Sequence, residues 1–115
     1  MHIKIKRIYE PYDMLDGYRV LVDRLWPRGI KKESAGIDVW LKEVAPSTEL
    51  RKWFDHDAKK WKDFIKKYEA ELKLTGDFAD LVALAKKHKT VTLLYSAKDE
   101  EHNQAVALAQ FIKRF

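Results

Sequence analysis

Cysteine is absent from this chain, and that absence removes a disulfide framework, a thiolate nucleophile and any cysteine-ligated zinc or iron–sulfur centre. It also fits a reducing compartment. No stretch approaches the ~20 apolar residues of a membrane span. The opening Met1-His2-Ile3-Lys4-Ile5-Lys6-Arg7 alternates apolar and basic residues, where a secretory leader would carry a continuous apolar run. The expected location is therefore the cytoplasm, with no membrane partner. Glycine is scarce, at four residues, and none completes a P-loop, a G-x-G-x-x-G turn or a G-x-S-x-G elbow. No cofactor is expected, and no repeat, low-complexity tract or linker divides the chain.

What remains is rich in core material. With 46% hydrophobic and 12% aromatic residues among 115, the chain has enough apolar surface for one core and too little length for two. The expectation is a single α/β domain over residues 1–115. Strands are expected near residues 3–8, 19–24 and 90–96. Ile3-Lys4-Ile5-Lys6 has the period of an edge strand, whereas Val20-Leu21-Val22 and Val91-Thr92-Leu93-Leu94 read as strands covered on both faces. The connector Glu10–Gly17 is shorter than the roughly dozen residues of a parallel crossover, so pairing of the first two strands predicts an antiparallel step and a mixed, three-stranded sheet.

About five helices are expected around that sheet. Ile37, Trp40, Leu41 and Val44 fall at helical spacing, and Pro46 ends that segment. Ser47 is placed to cap a helix carrying Leu50, Trp53 and Phe54. Trp61, Phe64, Ile65, Tyr68 and Leu72 form the longest stripe; a further helix capped by Asp77 and a closing one around Ala105–Ile112 complete the set.

In open α/β sheets ligands bind beyond the carboxyl ends of the strands, where loops vary and helix N-termini present amides. That rule selects two segments. Asp23-Arg24-Leu25-Trp26-Pro27-Arg28-Gly29 follows the second strand; its two guanidinium groups suit bidentate binding of phosphate or carboxylate, and Trp26 suits stacking on a ring. Ser96-Ala97-Lys98-Asp99-Glu100-Glu101-His102-Asn103-Gln104 follows the last strand. There Ser96 and Lys98 can hold an anion, and His102 and Asp99 are the candidates for proton transfer. Each has a structural alternative: Arg24 as a partner of Asp23, Trp26 as core, Asp99 as a helix cap. Asp55-His56-Asp57 could suggest a metal site, but adjacent side chains cannot all face one point, and capping of the next helix is the simpler account; no metal is expected. The net charge of +5 and the lysines Lys59, Lys60, Lys62, Lys66 and Lys67 leave nucleic acid as an alternative partner, although no nucleic-acid-reading motif accompanies them.

The segments Lys6-Arg7-Ile8-Tyr9-Glu10, Asp16-Gly17-Tyr18-Arg19-Val20-Leu21-Val22-Asp23-Arg24-Leu25-Trp26-Pro27-Arg28-Gly29, Ala45-Pro46-Ser47 and Leu94-Tyr95-Ser96-Ala97-Lys98-Asp99 resemble the YeaO-like proteins. That bacterial and archaeal family is a domain of unknown function, number 488. The resemblance covers nearly the whole chain and adds Ser47, Arg51, His56 and Asn103 to the candidate residues. More distant relatives tend to carry cysteine near the positions of Tyr95-Ser96 and of His102-Asn103; here both are thiol-free, so thiol chemistry does not carry over. The leading expectation is a small enzyme or ligand-binding domain with an anion pocket formed by Arg24, Arg28, Ser96 and Lys98. A nucleic-acid-binding or protein-interaction module is the alternative.

Overall fold

The apolar run of residues 90–95 becomes the middle of the molecule. In the computed structural model, which describes residues 1–115, β1 (His2–Arg7), β2 (Tyr18–Leu21), β3 (Val39–Trp40) and β4 (Thr90–Tyr95) form one sheet in the order β1-β4-β2-β3. β4 pairs with β1 from His2↔Thr90 to Arg7↔Tyr95 and with β2 from Tyr18↔Val91 to Leu21↔Leu94. Every pairing is parallel, including Val20↔Val39 and Leu21↔Trp40 between β2 and β3.

This corrects the mixed, three-stranded sheet. β1 lies at the edge, as its alternation implies, but β1 and β2 are not neighbours, because β4 inserts between them. The connector therefore closes no hairpin. It returns along the sheet, and its residues 8–17 at about 3.3 Å each reach well beyond the length of β4, the one strand they skip. A 3₁₀ turn at Met14–Asp16, capped by Asp13, settles it against β4, where Thr92 Oγ1 donates to the Asp16 carbonyl at 2.6 Å. Gly17 is required at its end: φ is +67°, and a Cβ would stand 2.4 Å from the Thr90 carbonyl oxygen.

The second correction concerns residues 37–44. They form not a helix but β3 followed by a 3₁₀ turn at Lys42–Val44. Along β3 the side chains alternate, with Val39 and Leu41 packing against the main core and Trp40 joining a second cluster. Two buried faces in opposite directions need period two, and Asp38 N–H and Leu41 N–H donate to Arg19 and Leu21 carbonyls across the sheet. Four α-helices remain: α1 (Thr48–Phe54), α2 (Trp61–Lys73), α3 (Asp77–Lys87) and α4 (Gln104–Ile112). Ser47 caps α1 by accepting from Leu50 N–H at 3.0 Å, whereas α3 starts from Gly76 without a side-chain cap, so Asp77 opens the helix rather than capping it.

Val20, Val91, Leu93 and Tyr95 meet side chains of all four helices in the main core. Beneath the opposite face, Ile8, Leu21 and Leu94 are covered by Trp26, Ile30, Ile37 and Trp40 from the loops. Both sheet faces are therefore shielded, as a parallel sheet requires. The carboxyl ends of the two interior strands, β2 and β4, stay side by side with only loops and helix ends above them.

Candidate functional site

A cavity of about 630 Å³ opens at those two strand ends, within the usual range for small-molecule sites. The loop after β2 contributes Asp23, Arg24 and Leu25; the segment entering α1 contributes Ala45 and Pro46; α1 and its exit contribute Arg51, Phe54 and His56. Phe64 of α2 closes the apolar floor, and the loop from β4 to α4 supplies Ser96, Lys98, Asp99, His102, Asn103 and Gln104.

That loop is held by its own polar groups. Asp99 Oδ1 accepts from the backbone N–H of Glu101 at 2.9 Å and of His102 at 3.0 Å, and Asp99 Oδ2 lies 3.0 Å from His102 Nδ1. The hydrogen bond from Glu101 N–H is the largest influence on Asp99, and with His102 it holds the carboxyl below its ordinary range despite some desolvation. Asn103, not Asp99, caps α4: its Oδ1 accepts from Val106 N–H at 3.1 Å while its Nδ2 donates to the Asp99 carbonyl at 2.9 Å. Arg7 braces the loop from β1, donating to the Ser96 and Ala97 carbonyls at 3.0 and 2.9 Å. With Asp99 on Nδ1 and the edge of the ring against Trp61, His102 keeps Nε2 as its remaining polar atom.

Among the charged residues lining the cavity Asp23 is the most buried, with 7% of its surface exposed. Gln104 Nε2 donates to Oδ1, and Oδ2 forms no hydrogen bond within the protein. Burial pushes its carboxyl above the ordinary value; the hydroxyl and backbone amide of neighbouring Ser96, then Gln104 and the charge of Arg51, oppose that shift. Arg24 does not pair with Asp23. Its guanidinium donates to the Ala45 carbonyl at 2.8 Å and weakly to Pro46, with Glu43 3.7 Å away. By contrast, Arg51 and Lys98 are exposed and join no ion pair; the only side-chain partner of Arg51 is Thr48 Oγ1 at 3.5 Å.

The family model described as the inactive DUF488-N3 subclade matches residues 2–114. The chain belongs to that family. It is 46% identical over 113 residues to the uncharacterized protein YeaO of Escherichia coli, covering 98% of each chain. It is 37% identical over 110 residues to the uncharacterized protein Rv3073c of Mycobacterium tuberculosis, covering 96% of this chain and 92% of the relative. No solved structure is significantly similar to it.

Of the residues singled out in this member of the inactive DUF488-N3 subclade, the cavity gathers Arg24, Arg51, His56, Ser96, Lys98, Asp99, His102 and Asn103. Three others lie elsewhere. Trp26 is core beneath the sheet: its indole N–H donates to the Ile30 carbonyl at 2.7 Å and its ring meets Trp40 edge to face. Arg28 is exposed and contributes only its carbonyl, which accepts from Tyr9 Oη at 2.9 Å. Ser47 is spent on Glu71 and on the cap of α1. Two lining residues, Asp23 and Gln104, carry weight that sequence reading missed; the available signal was a carboxylate ending the otherwise buried run Val20-Leu21-Val22. His56 is held at the rim by consecutive left-handed residues, Asp55 at φ 46° and His56 at φ 56°. Asp57 caps the next turn through Lys59 N–H. No three His, Asp or Glu side chains gather as a metal would need, and no helix is long and apolar enough to cross a membrane.

Proposed function

We infer that this chain is a cytoplasmic binding domain for a small anionic molecule, held in the strand-end cavity without covalent chemistry. One observation carries the reading: Arg51 and Lys98 stand at a preformed cavity of about 630 Å³ with no carboxylate neutralising either. Elsewhere in the chain the buried or half-buried cations are spent on partners, as Lys6 and Arg19 are on Asp16. A phosphate or carboxylate supplies the missing counter-charge, and partial exclusion of water strengthens the attraction. Phe54, Phe64 and Pro46 offer an apolar wall for the body of the ligand. Two further facts support binding over turnover: the family model's own description as inactive, and a chain with no thiol anywhere.

The test is a thermal-shift and calorimetric screen of sugar phosphates, nucleotides, dicarboxylates and inorganic anions. A ligand confined to the native state raises stability by about 2.7 kcal/mol at a hundredfold excess over its dissociation constant. One class of anion is expected to stabilise the wild type and not a folded Arg51→Ala, Lys98→Ala double variant. No shift with any anion, or equal shifts in both proteins, overturns the reading.

A second reading has an observation of its own, the 3.0 Å contact of Asp99 with His102 Nδ1. It orients the imidazole as the pair in a general base would be oriented. Turnover of a bound anion that disappears in His102→Gln would favour it.

A further inference from the structure

The free cations account for one end of a ligand; the cavity also contains a buried carboxylate that the fold leaves half used. Asp23 is 7% exposed and lines the cavity, yet Oδ2 has no hydrogen-bond partner within the protein. Buried charged oxygens are ordinarily paired, since removing a carboxylate from water without compensation costs several kcal/mol. Ser96, whose hydroxyl and backbone amide favour the charged form of Asp23, lies beside it without completing an ordinary hydrogen bond to Oδ2, and the other neighbours do not supply that pairing. Gln104 serves Oδ1, Arg24 is turned to the Ala45 and Pro46 carbonyls, and the charges of Arg51 and Lys98 remain out at the exposed rim. The contrast with Asp16 is instructive, because there the same chain surrounds a buried carboxylate with Lys4, Lys6 and Arg19.

We propose that the ligand is zwitterionic: its binding uncovers Asp23 Oδ2, which the fold otherwise closes to solvent, and a primary amine, protonated as an ammonium, donates to it while the phosphate or carboxylate of the same molecule meets Arg51 and Lys98. This rests on the anion-binding reading above and specifies its ligand class as amino-bearing anionic metabolites. An ammonium fits better than a hydroxyl for two reasons. It brings the positive charge that a desolvated carboxylate lacks, and its three donors can serve Oδ2 and the adjacent Ser96 hydroxyl together. The Gln104 amide, fixed by donating to Oδ1, keeps the carboxylate oriented for that contact. The separation of signs within the cavity, with the carboxylate deep and the lysine and arginine at the rim, sets the direction in which such a molecule enters: amine first.

Two matched pairs of probes test this, each exchanging an amine for a hydroxyl at one carbon: glucosamine 6-phosphate against glucose 6-phosphate, and glutamate against 2-hydroxyglutarate. The first pair reports on phosphate, the second on carboxylate, as the anionic end. In at least one pair the amine is expected to bind wild type about 10- to 100-fold more tightly, the size of a charge-assisted hydrogen bond. That preference is expected to vanish in Asp23→Asn and in Asp23→Ser, two variants whose folding is checked by circular dichroism. Equal binding of amine and hydroxyl, lost in the Arg51→Ala, Lys98→Ala variant, overturns the zwitterion and leaves the anion site standing. An amine preference that survives both Asp23 substitutions also overturns it. If no probe binds wild type at millimolar concentration the zwitterion is again overturned, and the broader anion screen decides the site separately.

Discussion

Two buried carboxylates flank β2, and their surroundings are opposite. Asp16, just before the strand, is 1% exposed and enclosed by Lys4, Lys6 and Arg19, with the Asp13 amide as a further donor. Asp23, just after it, has one side-chain donor and an oxygen without a partner. Burial alone would raise both. At Asp16 the hydrogen bonds from Lys6, Arg19 and the Asp13 amide, with the Lys6 charge, overcome burial and hold the carboxyl below its usual range; at Asp23 burial wins. In a parallel sheet the two ends are not equivalent. At the amino-terminal end the returning connector packs its Asp16 against β4 and leaves a shallower cavity of about 390 Å³, whereas the carboxyl-terminal end opens to the larger cavity of about 630 Å³. The difference separates a carboxylate that organises the fold from one that keeps an unpartnered oxygen beside the cavity.

Removing the Asp16 charge gives the largest expected effect. Asp16→Asn would leave Lys6 and the fully buried Arg19 without a counter-charge, and breaking a buried pair on one side costs about 3–5 kcal/mol. For a domain of this size that lowers Tm on the order of 10–20 °C. Urea denaturation at neutral pH measures it. A loss below about 1 kcal/mol would mean that the cluster is screened by water and that the two ends differ less than their geometry implies.

Arg24→Ala comes next, and it asks whether the cation nearest Asp23 in sequence belongs to that carboxylate. Its hydrogen bonds go to the Ala45 and Pro46 carbonyls, so the variant is expected to lose about 1–3 kcal/mol by stranding acceptors at the entry to α1. The titration of Asp23, followed by carboxyl-carbon NMR, is expected to stay where it is. A shift upward after the substitution would show that Arg24 does stabilise the Asp23 charge and that the comparison is drawn too sharply.

These roles were only partly legible in the sequence. Period and caps placed β1, β2, β4 and all four α-helices, because local spacing there reports directly on one buried face. Strand order could not be read that way: nothing within Glu10–Gly17 says that a strand some seventy residues later will insert between its neighbours. Residues 37–44 failed for a different reason. Ile37, Trp40, Leu41 and Val44 satisfy helical spacing, yet two separate cores claim them, and only an extended chain presents Val39 and Trp40 to opposite sides. The strand-end rule directed attention to the two loops that line the cavity. It did not show that Arg24 is bound to backbone carbonyls, that Trp26 faces the other side of the sheet or that Asp23 is the buried group, since each depends on contacts between distant segments.

Asp23→Asn is expected to have the opposite sign from Asp16→Asn. An amide of the same shape removes an under-compensated charge, so stability at neutral pH is expected to be unchanged or to rise by up to about 1 kcal/mol. The pH dependence follows from the directions of the two shifts. A raised folded-state value means that ionised Asp23 costs stability, and this cost disappears as pH falls through the folded value toward the unfolded one near about 3.9. The gap between the variant and wild type should therefore close on acidification. The lowered value of Asp16 works the other way: its contribution is complete above about 3.9 and is lost only as pH falls through the still lower folded value. Denaturation curves of both variants from neutral pH to pH of about 3 separate the two patterns. Parallel profiles would break the comparison.

Lys98→Ala should be the least consequential for stability and the most selective for function. The side chain is exposed and unpaired, so its loss is expected to change stability by less than about 0.5 kcal/mol. If the open end of the sheet is a ligand site, however, the same substitution removes one of two free cations and should weaken binding of a stabilising anion by about tenfold or more. Isothermal titration of that anion into wild type and variant measures this, with chemical denaturation as the control. A variant as stable as wild type that binds the anion equally well would remove Lys98 from the site and leave Arg51 as its only free cation; loss of binding without loss of stability is what a rim residue, as opposed to a structural one such as Arg19, must show.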